Sequence, residues 1–246
     1  MAEQRNARLV HAEAIGPETR LLRFAFENGD SLGFVGGKYI IVNSELPLPD
    51  GKICKRAYSI LSSDSDQTSF TIAVRRIGIG SNFLHGLPLG SELRFSGPWG
   101  KFVAAGPEEE STWIFATDTG ITAALGLTQA FDYKPKLAKT ELCWWVQSRN
   151  YFLPESFVRA NIPLPREQFS LEQFPSVGNT ERVGCAHKLL NRRLARQLPD
   201  RVYLSGDGAV LLPLVDELIA GGISQECIHV ETFFNHPARK AAASTP

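Results

Sequence analysis

Over its first hundred residues the chain alternates apolar and polar positions with a period of two. Leu22, Phe24 and Phe26 fall on one side of one such run, and Phe70, Ile72 and Val74 on one side of another. This is the pattern of strands with a single buried face. Six strands are predicted, over 8–15, 19–26, 38–44, 57–62, 70–76 and 92–96. Turn formers separate them at Gly16-Pro17, Gly36-Gly37, 47–51 and Gly97-Pro98. Short strands divided in this way predict a small antiparallel barrel. One segment breaks the pattern. Gly78-Ile79-Gly80-Ser81-Asn82 reads as a glycine turn entering a short helix, with Ser81 as its N-cap, and free N–H groups at such a start attract phosphate.

The period changes after Gly106-Pro107. The acidic run Glu108-Glu109-Glu110 reads as a solvated linker. Beyond it, strands are predicted over 113–116, 141–147, 168–174, 201–205 and 228–234. Helices are predicted over 121–131, 155–161, 185–197 and 210–220. The helix over 121–131 is expected to bury one side, marked by Ile121, Leu125 and Thr128, and Arg192, Arg193 and Arg196 are read as a wet helix face. Strands alternating with helices imply a parallel sheet covered on both faces, with ligands at the carboxyl ends of the strands. The expected division is a barrel over 1–106, an α/β domain over 107–236 and a disordered tail over 237–246.

Composition narrows the class. The chain has 246 residues, with 26 Lys plus Arg against 26 Asp plus Glu, so no global charge points to nucleic acid or an anionic membrane. The polar N-terminus lacks the apolar core of a signal peptide, and no apolar run is long enough to span a bilayer. The expectation is a cytoplasmic protein without membrane insertion. Cys54, Cys143, Cys185 and Cys227 are scattered, without metal-ligand spacing, so no metal site is predicted.

Candidate chemistry starts at Arg56-Ala57-Tyr58-Ser59. An arginine grips phosphate through paired charged hydrogen bonds. A tyrosine two residues on lies on the same strand face and offers a flat ring, and a serine hydroxyl bonds a ring heteroatom. Phosphate grip, platform and polar edge suit a flavin nucleotide.

A small barrel carrying R-x-Y-S, followed by a nucleotide-binding α/β domain, resembles the ferredoxin–NADP reductase superfamily over essentially the whole chain. The resemblance implies a Greek-key FAD barrel and a Rossmann-like, five-stranded parallel NAD(P) domain. It implies that Tyr58 stacks on the isoalloxazine, Arg56 holds the pyrophosphate and Ser59 bonds the flavin ring. Ala73, Val74 and Arg75 would run past the ribityl chain, and Gly80, Ser81 and Asn82 would sit over the pyrophosphate. Thr119, Gly120, Ile121 and Thr122 match the nicotinamide-nucleotide loop, although Asp118 replaces a glycine and Ala123 a proline. Ser205, Gly206 and Asp207 resemble a C-G-x motif beside the nicotinamide, with Ser205 in place of the cysteine. Val230-Glu231-Thr232-Phe233 resembles the ending of the oxygenase-reductase branch. Tyr58, Ser59, Glu231 and Phe233 are the catalytic candidates: Glu231 near the flavin N5, Phe233 or Phe234 over the flavin face.

Ser148 and Arg149 follow the second parallel strand, where they suit a 2′-phosphate, and Arg182 resembles a second phosphate-holding arginine; the balance tips to NADPH over NADH. Asp118 and Asp207 are expected to oppose the nucleotide pyrophosphate and weaken its binding; capping a helix is the alternative role. The resemblance implies an FAD-dependent reductase passing electrons from NAD(P)H to a ferredoxin or flavodoxin. An NAD(P)H:flavin reductase and a non-turning-over regulatory protein are the alternatives.

Overall fold

The structure, a computed structural model, describes residues 4–27, 29–174 and 178–233. The tail over 237–246 and Phe234 lie outside the described residues.

Six antiparallel strands form the N-terminal half: β1 (Gln4–Gly16), β2 (Thr19–Ala25), β3 (Tyr39–Pro47), β4 (Ile53–Ser59), β5 (Ser69–Arg75) and β6 (Glu92–Trp99), in spatial order β4-β3-β6-β1-β2-β5. The period-two side chains do what they predict. Leu22, Phe24, Phe70, Ile72 and Val74 are fully buried and meet Ile40, Leu93 and Phe95 from other strands in one core. The two ends of the sheet approach where Leu61 N–H donates to Thr71 O at 3.0 Å. Strand β4 starts earlier than the sequence predicts, because the 47–51 turn closes a hairpin in which Pro47 pairs with Ile53. A short helix, α1 (Ile79–Gly86), packs against β3, β4 and β5.

The C-terminal half is a parallel sheet of β7 (Thr112–Thr117), β8 (Thr140–Val146), β9 (Phe169–Gln173), β10 (Arg201–Gly206) and β11 (Ile228–Thr232), ordered β11-β10-β7-β8-β9. Its helices are α2 (Ile121–Thr128), α3 (Glu155–Asn161), α4 (Asn179–Leu194) and α5 (Gly208–Ala220). Helix α2 departs from the expected one-sided pattern. It ends at Thr128, and all eight of its residues are buried. It is wedged between the parallel sheet and the barrel, so it has no wet side. A Cβ built at Gly126 would lie 2.3 Å from Ile60 O and 3.0 Å from Gly37 N; this close approach needs glycine. One apolar cluster crosses the seam, joining Leu21, Leu61 and Ala73 of the barrel to Ile121, Leu125 and Leu127.

The connection between the halves is not a free linker. Glu110 takes Arg201 in a two-point ion pair at 2.7 and 3.2 Å. The Lys136 ammonium, buried, donates to the carbonyls of Gly106 and Pro107. Tyr203 Oη donates to Val103 O and accepts from Ala105 N, both at 3.0 Å. Glu110 therefore has a structural role that its place in an acidic run hides, its partner being distant in sequence, while Glu108 and Glu109 are exposed as expected. Likewise Arg193 is not simply wetted. It pairs with Glu141 at 2.7 Å and lies over the rings of Trp113 and Phe115, while Arg192 and Arg196 are exposed.

Candidate active site

Strand β4 and the turn into α1 meet first. Arg56 and Tyr58 share a face of β4 with Cys54, as their spacing requires. A Cβ built at Gly80 would lie 3.0 Å from Arg56 Cγ and 3.3 Å from Cys54 Sγ, so the helix start lies directly against the Arg56 side chain. Arg56 is exposed, and its guanidinium bonds only locally, to Lys55 O at 2.8 Å. Two segments that the sequence offers as candidate phosphate elements thus stand side by side. Ser81 is not the N-cap. The cap is Gly78, and the Ser81 hydroxyl, one turn in, accepts from Ile77 N and Gly78 N at 2.8 and 2.9 Å. It shapes the turn and has no hydrogen left for a ligand, since it donates to Gly78 O. Asn82 accepts from Arg76 Nε at 3.2 Å.

Burial raises the Tyr58 phenol above its ordinary range and keeps it neutral. Ser59 is buried, and its Oγ makes no hydrogen bond. Across the ladder Ser59 pairs with Tyr39. The Tyr39 ring and Glu231 Oε2 converge on one point, each about 3.1 Å from a Cβ built at Gly100. Glu231, on β11, therefore reaches back to the barrel. Its Oε1 is also buried without a partner, and burial alone raises its carboxyl to about 8. Phe233 packs on the apolar cluster at the seam, and its N–H donates to Gly206 O at 2.9 Å. Two orphaned buried oxygens on facing elements are costly in isolation.

Other barrel candidates contribute differently from expectation. Val74 points fully into the barrel core, and Ala73 into the apolar cluster at the seam, which leaves only their backbone for a ligand. Arg75 is committed: its Nε donates to Tyr151 O at 2.7 Å and its guanidinium lies 3.8 Å from the Tyr151 ring centre.

The parallel sheet brings the second group of candidates to its carboxyl edge. Thr119 and Gly120 lie in a 3-10 turn after β7, Ile121 and Thr122 open α2, and Thr122 Oγ1 donates to Thr119 O at 2.9 Å. Ser205, at the end of β10, is fully buried and donates to Gly120 O at 3.0 Å, so its hydroxyl ties two loops together. Gly206 has φ +128, and a Cβ there would lie 2.3 Å from Thr117 Oγ1; no side chain is compatible with that turn.

The two aspartates are not bare carboxylates. Arg182 lies between them, donating to Asp118 Oδ2 at 2.8 Å and Asp207 Oδ2 at 2.9 Å, with 5% of its side chain exposed. Asp118 Oδ1 also accepts Gln147 N–H at 2.8 Å, and Asp207 Oδ1 caps α5 by accepting Ala209 N–H. Burial raises the Asp118 carboxyl, while the Gln147 N–H and Arg182 pull it back. The expectation of two free acids is corrected: both belong to an internal ion triad. The expected open, phosphate-holding Arg182 is buried inside it. Arg149 pairs with Glu155 at 2.6 Å beside exposed Ser148. The sequence signal for this triad is Asp118 itself, a residue with φ +46 in a turn where glycine is usual. Tyr39, Gly100 and Tyr151 were not marked by any motif.

No helix among the described residues is long and apolar enough to cross a membrane. No cluster of three or more His, Cys, Asp or Glu among them could hold a metal ion.

Residues 6–103 match the oxidoreductase FAD-binding domain family. The ferredoxin–NADP reductase B of Sorangium cellulosum is 38% identical over 131 residues, 52% of this chain and 52% of the relative. The NADH-cytochrome b5 reductase 1 of Cryptococcus neoformans is 34% identical over 123 residues, 49% of this chain and 41% of the relative. These matches span about half or less of either relative's length. Among solved structures, the cytochrome b5 reductase domain of Ulva prolifera nitrate reductase superposes with a TM-score of 0.73 at 18% identity, covering 93% of this chain and 97% of that one. The barrel-plus-parallel-sheet architecture is thus shared along nearly the whole chain.

Proposed function

We propose that this chain, whose residues 6–103 match the oxidoreductase FAD-binding domain family, is an FAD-dependent reductase of the ferredoxin–NADP reductase kind. It oxidises a reduced pyridine dinucleotide and passes the electrons to a protein acceptor of the ferredoxin or flavodoxin kind. The observation that carries this reading is the pair of orphaned buried oxygens, Ser59 Oγ and Glu231 Oε1, one on each half of the fold.

Bound FAD supplies the chemistry, accepting a hydride and releasing electrons; the chain positions it. Arg56 and the N–H groups at the start of α1 hold the pyrophosphate. Tyr58 offers its ring, and Ser59 donates a hydroxyl to the flavin edge. Glu231, with its carboxyl raised to about 8, holds a proton at neutral pH, so it enters a dry site as a neutral donor. Phe233, fixed by its N–H to Gly206 O, covers the seam. The turns after β7 and β10 receive the dinucleotide at the carboxyl edge of the sheet.

Purified protein is expected to be yellow, to retain FAD through gel filtration, and to reduce ferricyanide with a reduced pyridine nucleotide. Protein that takes up no FAD, or FAD-loaded protein that no reduced nucleotide bleaches, refutes the proposal.

A further inference from the structure

Strand β11 lies at the edge of the parallel sheet and pairs only with β10. His229 and Glu231, two residues apart, share one of its faces. The two are held very differently. Glu231 Oε1 has no partner. The His229 ring stacks on Tyr203, with centroids 4.6 Å apart and planes 15° from parallel. Its Nε2 lies 2.9 Å from Arg201 Nη1. A guanidinium only donates, so Nε2 accepts and the ring is neutral, with its proton on Nδ1. Arg201 in turn holds Glu110 of the connection between the halves, and Tyr203 holds Val103 and Ala105. Among the described residues this is the one side-chain hydrogen bond that β11 makes. The strand that carries Glu231 is therefore fastened to the connection through a single neutral imidazole.

We propose that His229 is a positioning residue for Glu231, and that its protonation in mild acid unfastens β11 and withdraws Glu231 from the seam. This rests on the reading of Glu231 as part of a flavin site. A protonated imidazole carries N–H on both nitrogens. Arg201 and His229 would then aim donors at each other across 2.9 Å, and both would be cations. The facing groups do not undo this. On β10 they are Arg201 and Tyr203, on the connection Glu110, and on the turn before β11 Cys227, which lies near Arg201. Glu110 is the one counter-charge among them, and both of its oxygens already accept from Arg201. Stacking on Tyr203 favours a cation but leaves the clash of donors in place. Burial and Arg201 lower the His229 pKa, and Glu110 opposes them. A histidine lowered in the folded chain contributes stability above its ordinary 6.5. That stability is lost as pH falls from there through the lower folded value. The loss falls on β11, an edge strand with a ladder on one side only.

The experiment follows FAD-loaded protein from pH 7 to pH 5, a window in which Glu231 keeps its proton. Amide hydrogen exchange, expressed as protection factors, reads β11, with β7 at the centre of the sheet as the control. The rate at which a reduced pyridine nucleotide bleaches the flavin reads the site. In the wild type, protection in β11 is expected to fall by about tenfold or more towards pH 5 while that of β7 holds within about twofold. Bleaching is expected to slow by about threefold or more over the same range. His229→Gln offers Arg201 an acceptor and takes up no proton, so it is expected to bleach within about twofold of wild type at pH 7 and to lose both acid effects. His229→Phe keeps the stack without the acceptor, and its β11 is expected to exchange fast at pH 7 as well. Wild-type protection that stays flat down to pH 5 overturns the inference without any variant and leaves the proposed function standing. So does an acid loss that His229→Gln retains, or a loss of β11 protection with no slowing of bleaching. If no reduced nucleotide bleaches the flavin at any pH, the proposed function falls and the inference falls with it.

Discussion

Replacing Glu231 by glutamine tests a carboxyl strongly shifted by burial. The carboxyl is raised from 4.5 to about 8, with burial as the cause. Below pH 4.5 the group is protonated in both folded and unfolded chains and contributes nothing. As pH rises past 4.5 the unfolded chain ionises while the folded chain does not, so folding loses stability. The loss grows until pH 8 and is then constant. Each pH unit inside that window corresponds to about 1.4 kcal/mol. At pH 7 the penalty is therefore about 3 kcal/mol, an upper value because the residue is only partly enclosed. The glutamine side chain has nearly the same shape and cannot ionise. Urea unfolding of FAD-free wild type and Glu231→Gln at pH 5, 6, 7 and 8 checks this. The wild type should lose stability relative to the variant with rising pH, the difference reaching about 2–3 kcal/mol by pH 7–8. Parallel stability curves for the two proteins would refute the reasoning, as would a variant less stable at pH 8 than the wild type. Either result would mean that Glu231 is hydrated or paired and carries no proton at neutral pH.

Three further outcomes are expected. Arg56→Ala should weaken FAD by about 1.5–3 kcal/mol, the worth of a charge-assisted contact, read by flavin fluorescence titration; an unchanged Kd removes Arg56 from the phosphate site. Gly126→Ala should destabilise the fold by about 2–4 kcal/mol, because its Cβ meets Ile60 O at 2.3 Å; a thermal midpoint within a degree of wild type contradicts the close seam. Arg182→Met should cost about 3–5 kcal/mol at pH 7 by taking the shared cation from Asp118 and Asp207. Part of that loss should return at pH 5 as the carboxyls protonate; a loss independent of pH speaks for packing instead.

How much of this was legible in the sequence follows from how local each signal is. Alternation in Leu22-Phe24 and Phe70-Ile72-Val74 depends only on the strand period, and it identified the barrel. The R-x-Y-S spacing and the glycine turn at 78–82 each offered a candidate phosphate element, and the fold brings the two segments together. What the sequence hid was every pairing across long separations. Glu110 looked like linker because Arg201 lies 91 residues away. Asp118 and Arg182, 64 residues apart, looked like an obstacle and a phosphate ligand, when each is the other's counter-ion. Helix α2 misled in another way. Ile121, Leu125 and Thr128 mark one side of it, yet the helix is buried on all sides, which periodicity cannot distinguish from a poor amphipathic pattern.

The tethered connection between the two halves has a consequence for traffic. In a carrier built on a swinging arm, the redox group travels to its client. Here Val103, Ala105, Gly106, Pro107 and Glu110 are all fastened to Tyr203, Lys136 and Arg201, and the span offers no slack. Under the proposed function, an acceptor would have to come to a fixed site and depart again, like a boat at a fixed quay. A fused acceptor would therefore need its own tether, attached outside that span.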